Sequence, residues 1–349
     1  MNSTKGASQK KIERKNRRSK KKSKPKPKPK QRAPLTQRVR IIYKSSELVP
    51  LHILKNKNSG DPPHSYEDTI HRYVGKKFAI ISLFDGHSGQ FASNKAVIIV
   101  NILADRIRKG VTVNEKLFTT IFEYVDVKYL SKTKSGCTGT VVYIDKNKIY
   151  TAHVGDSPAY GISKNCTITQ LTKDHDYFNI PERNRVTIAS KKLHITEPWE
   201  DQRVHGIIQS SRGLGDPDIK NMGKNMFIAK PEVSKFNPKK FKYIMITSDG
   251  ITDPLTEKYE SRNLDDEGLT KLTDRQQSRN LVKNLTGAIC TLPSGTPHRS
   301  TPNKILKEPT KIVTGIIKDA IKKVGNEYQD DISIILLDVK ELYNYFNKT

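Results

Sequence analysis

Four apolar runs in this 349-residue chain end or begin on aspartate. Phe78-Ala-Ile-Ile-Ser-Leu-Phe84 runs into Asp85-Gly86, Ile149-Tyr-Thr-Ala-His-Val154 into Gly155-Asp156, and Tyr243-Ile-Met-Ile-Thr-Ser248 into Asp249-Gly250. Asp330-Asp331 reverses the order and opens Ile332-Ser-Ile-Ile-Leu-Leu337. A single Asp-Gly after a strand is only a turn signal, since both residues tolerate tight turns. Four acidic strand ends are different. Carboxylates gathered at one sheet edge repel one another, and they stay protonated or force the site open unless cations neutralise them. An all-oxygen, highly charged ligand set suits hard cations such as Mg²⁺ or Mn²⁺, whereas zinc favours His and Cys. Two such ions close together activate a bridging water and clamp a phosphoryl group during in-line displacement.

The elements that must hold these residues follow from periodicity. The four apolar runs read as β-strands, and Gln37-Arg-Val-Arg-Ile-Ile-Tyr-Lys-Ser45 reads as another. Between them lie helix-period stretches: Ala96 to Ile107, the Leu117/Ile121/Val125 stripe with Phe118 and Phe122, and the i, i+4 pattern from Ile312 to Val324. Strand-rich segments broken by a few long helices predict an α+β fold with sheet-on-sheet and helix-on-sheet layers. There is no internal repeat. Residues 256–309 are polar and carry the turn-rich patch Leu292-Pro-Ser-Gly-Thr-Pro-His-Arg-Ser-Thr-Pro302. They are expected to be helical at first and then a mobile, loop-rich insertion.

The net charge of +27 is unevenly spread. Residues 1–40 hold 17 Lys/Arg against one acid, Glu13, for +16, which leaves +11 for the other 309 residues. Residues 1–36 therefore read as a disordered basic arm. The Lys-Pro alternation from Lys24 to Lys30 favours an extended, polyproline-like chain. The folded part is expected over 37–349. The arm could bind nucleic acid or acidic partners without sequence preference, or act as a nuclear-localisation signal, but residues 1–40 contain no aromatic residue to stack on bases. Cys137, Cys166 and Cys290 lie far apart with no CxxC pair, so neither a disulfide framework nor a thiolate zinc site is expected, and Cys137 reads as a small buried residue. No run approaches the apolar length of a membrane span, and the N-terminus lacks the apolar core of a signal peptide. The expectation is a soluble, monomeric, intracellular protein, cytoplasmic or nuclear.

The words around the aspartates carry a resemblance. Glu67-Asp68 in HSYEDT, then FDGHSG (84–89), SGCTGT (135–140), GDSPAY (155–160), LTKDH (171–175), SRGLGD (211–216), PEV (231–233), SDGITD (248–253) and DDIS (330–333) occur in the order found in protein phosphatase 2C-like, metal-dependent phosphatases. The resemblance spans roughly residues 40–340. It implies a two-sheet β-sandwich flanked by α-helices, with hydrolysis of phosphoserine and phosphothreonine by water bridging two Mg²⁺ or Mn²⁺ ions. By the same resemblance Asp85 bridges both metals, and the Gly86 carbonyl and Glu67 complete the second. Asp249 and Asp330 hold the first, and Asp156 with Asp249 and Asp253 matches the acidic group of a weaker third ion. His87 matches the general acid, a role that suits an alkoxide leaving group in need of a proton. Arg212 and Asp216 are expected as a structural pair beneath the site, His153 and His175 as packed residues, and Trp199 as an anchor or substrate contact of a flap.

The chain also departs from the family pattern. Pro63, followed by His64, stands where an Arg usually grips the substrate phosphate, so that Lys57, His64 or Arg72 would have to serve. Pro158 replaces an Arg, Thr252 a Trp and Asp331 an Asn, and the interval from Asp249 to Asp330 is long. The missing Arg favours a rival reading, a catalytically weak phosphatase-like adaptor for phosphoproteins. The complete carboxylate set favours an enzyme.

Overall fold

The computed structural model describes residues 39–40, 51–56, 66–256, 274–291, 304–324 and 330–348. The basic arm, Lys57, Pro63, His64 and most of the 37–45 run lie outside the described residues, and only Val39–Arg40 of that run is seen as strand.

Two antiparallel sheets carry the fold. The first has five strands, in the spatial order Glu232–Phe236, Ile149–Val154, Gly139–Asp145, Phe78–Phe84 and Thr69–Val74. The second has six: Val39–Arg40, Leu51–Asn56, Ile332–Asp338, Tyr243–Thr247, Ala159–Ile162 and Ile168–Gln170. Strand alternation places residues on both faces. Along Phe78–Phe84, Ala79, Ile81 and Leu83 join Val142, Ile144, Ile244, Ile246, Ile335 and Leu337 in the core between the sheets. Ile80 and Phe84 face outward into a second core. Because both faces are covered, the central strands are apolar at nearly every position, which is why they stand out as continuous runs. The family-implied architecture, a β-sandwich flanked by helices, is the one observed.

The outer layers are helical. Over the first sheet, helix Ile98–Arg108 buries Ile99 and Leu103, and helix Glu115–Val125 buries Leu117, Phe118, Ile121, Phe122 and Val125. The second of these starts at Asn114, whose side chain accepts from the Leu117 amide at 2.9 Å and so satisfies one of the orphan N–H groups of the first turn. Truncating Phe122 to Ala would cost about 3–5 kcal/mol. Over the second sheet, Ile312, Val313, Ile316, Ile317 and Ala320 of helix Pro309–Val324 pack with Leu281, Leu285, Ala288 and Ile289 of helix Asp274–Ile289.

That last helix lies in residues 256–309, where the sequence predicts helix first and loop after; what the sequence did not disclose is its packing. It has 16 residues and reaches the core through Leu281, Leu285 and Ile289. Its apolar stripe is narrow because it forms an outer layer with part of its circumference in water, so the composition does not reveal a core element. A two-residue ladder then pairs Cys290–Thr291 with Ile305–Leu306. The cysteines do correct an expectation: Cys166 and Cys290 form a disulfide across a sequence separation of 124, with Cα atoms 6.4 Å apart. A pair so distant leaves no spacing signal. Cys137 is buried and unpaired, as expected. Among the described residues no helix is long and apolar enough to cross a membrane.

Candidate active site

Sheet registry brings the acidic residues together. Asp85 follows Phe84, and its carbonyl accepts from the Thr138 amide at 2.9 Å while its Oδ2 accepts from Ser157 Oγ at 3.0 Å. Gly86 pairs with Cys137 and His87 with Gly136, and these pair in turn with Leu214 and Gly215 respectively. Gly86 cannot be larger, since a Cβ there would sit 2.5 Å from the Glu67 carbonyl oxygen. Asp249 and Asp330 lie at adjoining ends of paired strands. The Ser248 amide donates to the Ser333 carbonyl at 3.0 Å, and the Ser333 amide returns to Ser248 Oγ at 2.9 Å. Asp249 opens the buried helix Asp249–Thr256, on which Asp253 stands one turn later on the same face. Asp156 follows Gly155, whose φ of +99° is a left-handed conformation that places the next carboxylate inward.

These carboxyls act on one another. Burial, followed by repulsion from Asp68, Asp330 and Asp156, pushes Asp85 well above the usual carboxylate range. Burial and repulsion from Asp330, Asp85, Asp156 and Asp253 do the same to Asp249. Asp330 is pushed up to about 6, and Asp68 up to about 8, in both cases mainly by burial. The charges acting most strongly on them are other carboxylates. Such a cluster is stable at neutral pH only if protons or cations are taken up. Among the described residues no three His, Cys, Asp or Glu side chains are grouped so as to hold a metal ion as they stand. The all-oxygen donor set still fits Mg²⁺-like ions, which keep several waters and take one or two carboxylates each.

His87 stands at the rim of this cluster with 38% of its side chain open to solvent. Its Nε2 lies 3.0 and 2.9 Å from the two carboxylate oxygens of Asp216. Burial alone would depress the imidazole pKa; the Asp216 hydrogen bond and charge, with Asp156 and Glu67, outweigh it and raise the net value. Asp216 is held at φ 49°, in the left-handed region, after Gly215 at φ 81°. It occupies the space left by Gly136, where a Cβ would fall 1.8 Å from Asp216 Oδ2. Asp126 in turn holds the Gly215 amide at 2.8 Å and Lys220 Nζ at 2.6 Å.

The family model described as Protein phosphatase 2C matches residues 61–259. The chain belongs to the protein phosphatase 2C family. Among similar proteins, "Probable protein phosphatase 2C 11" of Arabidopsis thaliana is 26% identical over 200 residues, covering 55% of this chain and 51% of that one. "Protein phosphatase 1L" of Bos taurus is 28% identical over 193 residues, covering 50% and 51%. The chain thus spans about half the length of these relatives. Among solved structures, a C. elegans sex determining protein superposes with a TM-score of 0.58 at 19% identity, covering 86% of this chain and 67% of that one; this likeness concerns the fold.

Within this protein phosphatase 2C fold several residues stand apart from their expected places. Glu67 turns its Oε1 to the Gly89 amide at 2.9 Å, and its own amide donates to Asp331 Oδ2 at 2.7 Å. Its neighbour Asp68, not singled out from the sequence as a site residue, is the one buried among the carboxylates. The only signal for it was the Glu-Asp dipeptide itself. Arg212 does not pair with Asp216. It binds Glu182, which also takes Arg185 Nη2 at 2.8 Å and Ser211 Oγ at 2.8 Å, while Asp216 serves His87. The family word SRGLGD suggested a local pair, but the left-handed turn at Gly215-Asp216 sends the acid toward Gly136. His153 and His175 are packed, stacked 5.0 Å apart, with burial pushing His153 down to about 3 and His175 well below its ordinary value. His175 Nδ1 accepts from the Gly155 amide at 3.1 Å and so steadies the turn before Asp156. In the flap, here the segment from Ile180 to Phe227, Trp199 packs against the small core of Val186, Val204, Ile208 and Phe227 and meets Tyr177 edge-on at 5.4 Å.

Proposed function

We propose that this chain is a metal-dependent phosphatase that hydrolyses phosphoserine and phosphothreonine in proteins. The reading rests on one observation above all: a buried cluster of mutually repelling carboxylates at adjoining strand ends, with an Asp-supported imidazole at its rim. Asp85, the Gly86 carbonyl, Glu67, Asp249 and Asp330 are assigned to two Mg²⁺ or Mn²⁺ ions, and Asp156, Asp249 and Asp253 to a weaker third. When bound, such ions supply charge neutralisation, a water acidic enough to attack near neutral pH, and a clamp on the phosphoryl oxygens.

The chain's own residues do the rest. Ser157 and the Thr138 amide fix the Asp85 carboxylate and carbonyl, so its position is set before any ion arrives. The Nε2–H of His87 donates to Asp216, which orients the ring and favours its protonated form. The proton on the opposite nitrogen, Nδ1, goes to the departing serine or threonine oxygen, and the neutral ring keeps its Nε2 proton toward Asp216. No cysteine is needed as nucleophile; burial pushes the Cys137 thiol pKa up, away from a reactive thiolate. Residues 1–36 are assigned as an accessory basic arm to the catalytic domain at 37–349.

The test is turnover of a phosphoserine peptide by the full-length protein after chelation and after addition of Mn²⁺ or Mg²⁺. Activity is expected only with added metal. Asp85→Asn and Asp249→Asn should each lower kcat by orders of magnitude while circular dichroism stays unchanged. Near-wild-type rates in both variants at saturating metal would overturn the assignment.

A further inference from the structure

Away from the carboxylates, the flap carries a second concave surface. Helix Ile180–Lys192 and the turn at Lys224–Asn225 form an open cavity of about 340 Å³, lined by Arg185, Ile188, Lys192, Leu193, Lys224 and Asn225. Its rim is both apolar and basic. Ile188 is 58% exposed and Leu193 41%, so both offer apolar surface to a ligand. The ammonium groups of Lys192 and Lys224 are exposed and have no hydrogen bond or ion pair among the described residues. No carboxylate lines the cavity.

Hydrogen bonds brace the wall. Arg185 is held by Glu182 and donates its Nη1 to the Asn225 carbonyl, while Asn225 itself sits at φ 67°. Behind it lie Val186, Ala189, Met226 and Phe227 of the flap core. A preformed site loses less ordering entropy on binding than a loose one. Two free cations around aliphatic side chains complement a peptide that presents an apolar residue between acidic ones. A sugar-phosphate backbone would use the lysines and leave Ile188 and Leu193 without a partner.

We propose that this cavity docks an acidic–apolar segment of the phosphoprotein substrate, separate from the phosphorylated residue. The proposal rests on the phosphatase reading above for the identity of the docked protein. It makes the flap a determinant of KM, while the carboxylate cluster and His87 determine kcat. A docked segment binds ground state and transition state alike, and so changes KM without changing kcat.

Two measurements on the full-length protein test it. The first is fluorescence anisotropy with a fluorescein-labelled, non-phosphorylated peptide in which one leucine is flanked on each side by glutamates. Ile188→Asn and Lys192→Glu/Lys224→Glu are each expected to weaken binding about tenfold, as loss of one buried aliphatic contact or of two complementary charges would. Lys76→Glu/Lys77→Glu makes the same charge change in the exposed turn before Phe78 and is expected to alter binding less than about twofold. Equal binding by wild type and the cavity variants, or equal weakening by the control pair, would overturn the site. The second measurement uses the same peptide extended by a phosphoserine. The cavity variants should raise KM about tenfold with kcat unchanged, and p-nitrophenyl phosphate turnover should not move. An unchanged KM would overturn the assignment of the docked segment to the substrate. If wild type turned over neither substrate with Mn²⁺, the phosphatase reading would fail, and the anisotropy result would still decide whether the cavity binds the peptide.

Discussion

Glu182→Gln tests how the SRGLGD segment is held. The Glu182 carboxylate is buried and accepts from Arg185 Nε at 3.1 Å and Nη2 at 2.8 Å, from Arg212 Nε at 3.0 Å, and from Ser211 Oγ at 2.8 Å. Arg212 Nη2 makes a further short contact. Burial raises the carboxyl pKa, but the two guanidiniums override it and hold the group well below the usual carboxylate range. Glutamine conserves shape and removes the charge, so two guanidiniums with side chains 24% and 13% exposed are left sharing a neutral amide. Breaking a buried pair in this way costs about 3–5 kcal/mol, because a buried charge is left uncompensated. For a domain of this size that corresponds to a fall in Tm on the order of 10 °C.

The measurement is urea and thermal unfolding of the full-length protein followed by circular dichroism at pH 7. The sign with pH is fixed as well. A carboxylate whose folded pKa is depressed contributes stability that is present above its unfolded pKa and lost as pH falls through the folded value. The gap between wild type and Glu182→Gln should therefore narrow below about pH 4.5. The triple variant Glu182→Leu/Arg185→Met/Arg212→Met should recover part of the loss, since an apolar set of similar volume carries no charge-desolvation penalty. A loss below about 1 kcal/mol at pH 7, typical of a solvated surface pair, would refute the buried-pair argument.

Three further outcomes follow from the site. Gly136→Ala places a methyl 1.8 Å from Asp216 Oδ2, so Asp216 must leave His87; kcat on a phosphoserine peptide should fall about 10²-fold or more, with a much smaller loss on p-nitrophenyl phosphate, whose phenolate departs without a proton. The alkaline limb of the kcat profile should lie above the ordinary histidine range, because the protonated acid is lost only as pH rises through the raised pKa of His87, and Asp216→Asn should move that limb to lower pH. After chelation, stability should fall as pH rises from 5 to 8, since Asp330 near 6 and Asp68 near 8 hold protons in the folded state that the unfolded chain releases; Mg²⁺ should then raise Tm more at pH 8 than at pH 5, and a stability that rises over this interval would contradict the shifts.

What the sequence disclosed and what it hid divide along the range of the interaction. Phe78–Phe84 and Ile332–Asp338 were legible because both of their faces are buried, so almost every position is apolar and the aspartates at their ends stand out. Helix Asp274–Ile289 was not legible as a core element, because one narrow stripe of Leu281, Leu285 and Ile289 is set in a polar surface. The pairings that position the chemistry were hidden for a different reason. His87 and Asp216 are 129 residues apart, and Cys166 and Cys290 are 124 apart, so neither leaves a periodic or spacing signal. At Glu67-Asp68 the dipeptide was visible but the direction of each side chain was not, since consecutive residues in an extended chain point to opposite sides. Gly136 shows how the two kinds of information meet. As a letter in SGCTGT it says only that a side chain is absent; the reason for the absence is a carboxylate from a strand pair and a left-handed turn encoded 80 residues later. A substitution there should accordingly report on the His87–Asp216 contact more directly than a change in either partner, because both ionisable groups stay in the chain and only their distance is altered.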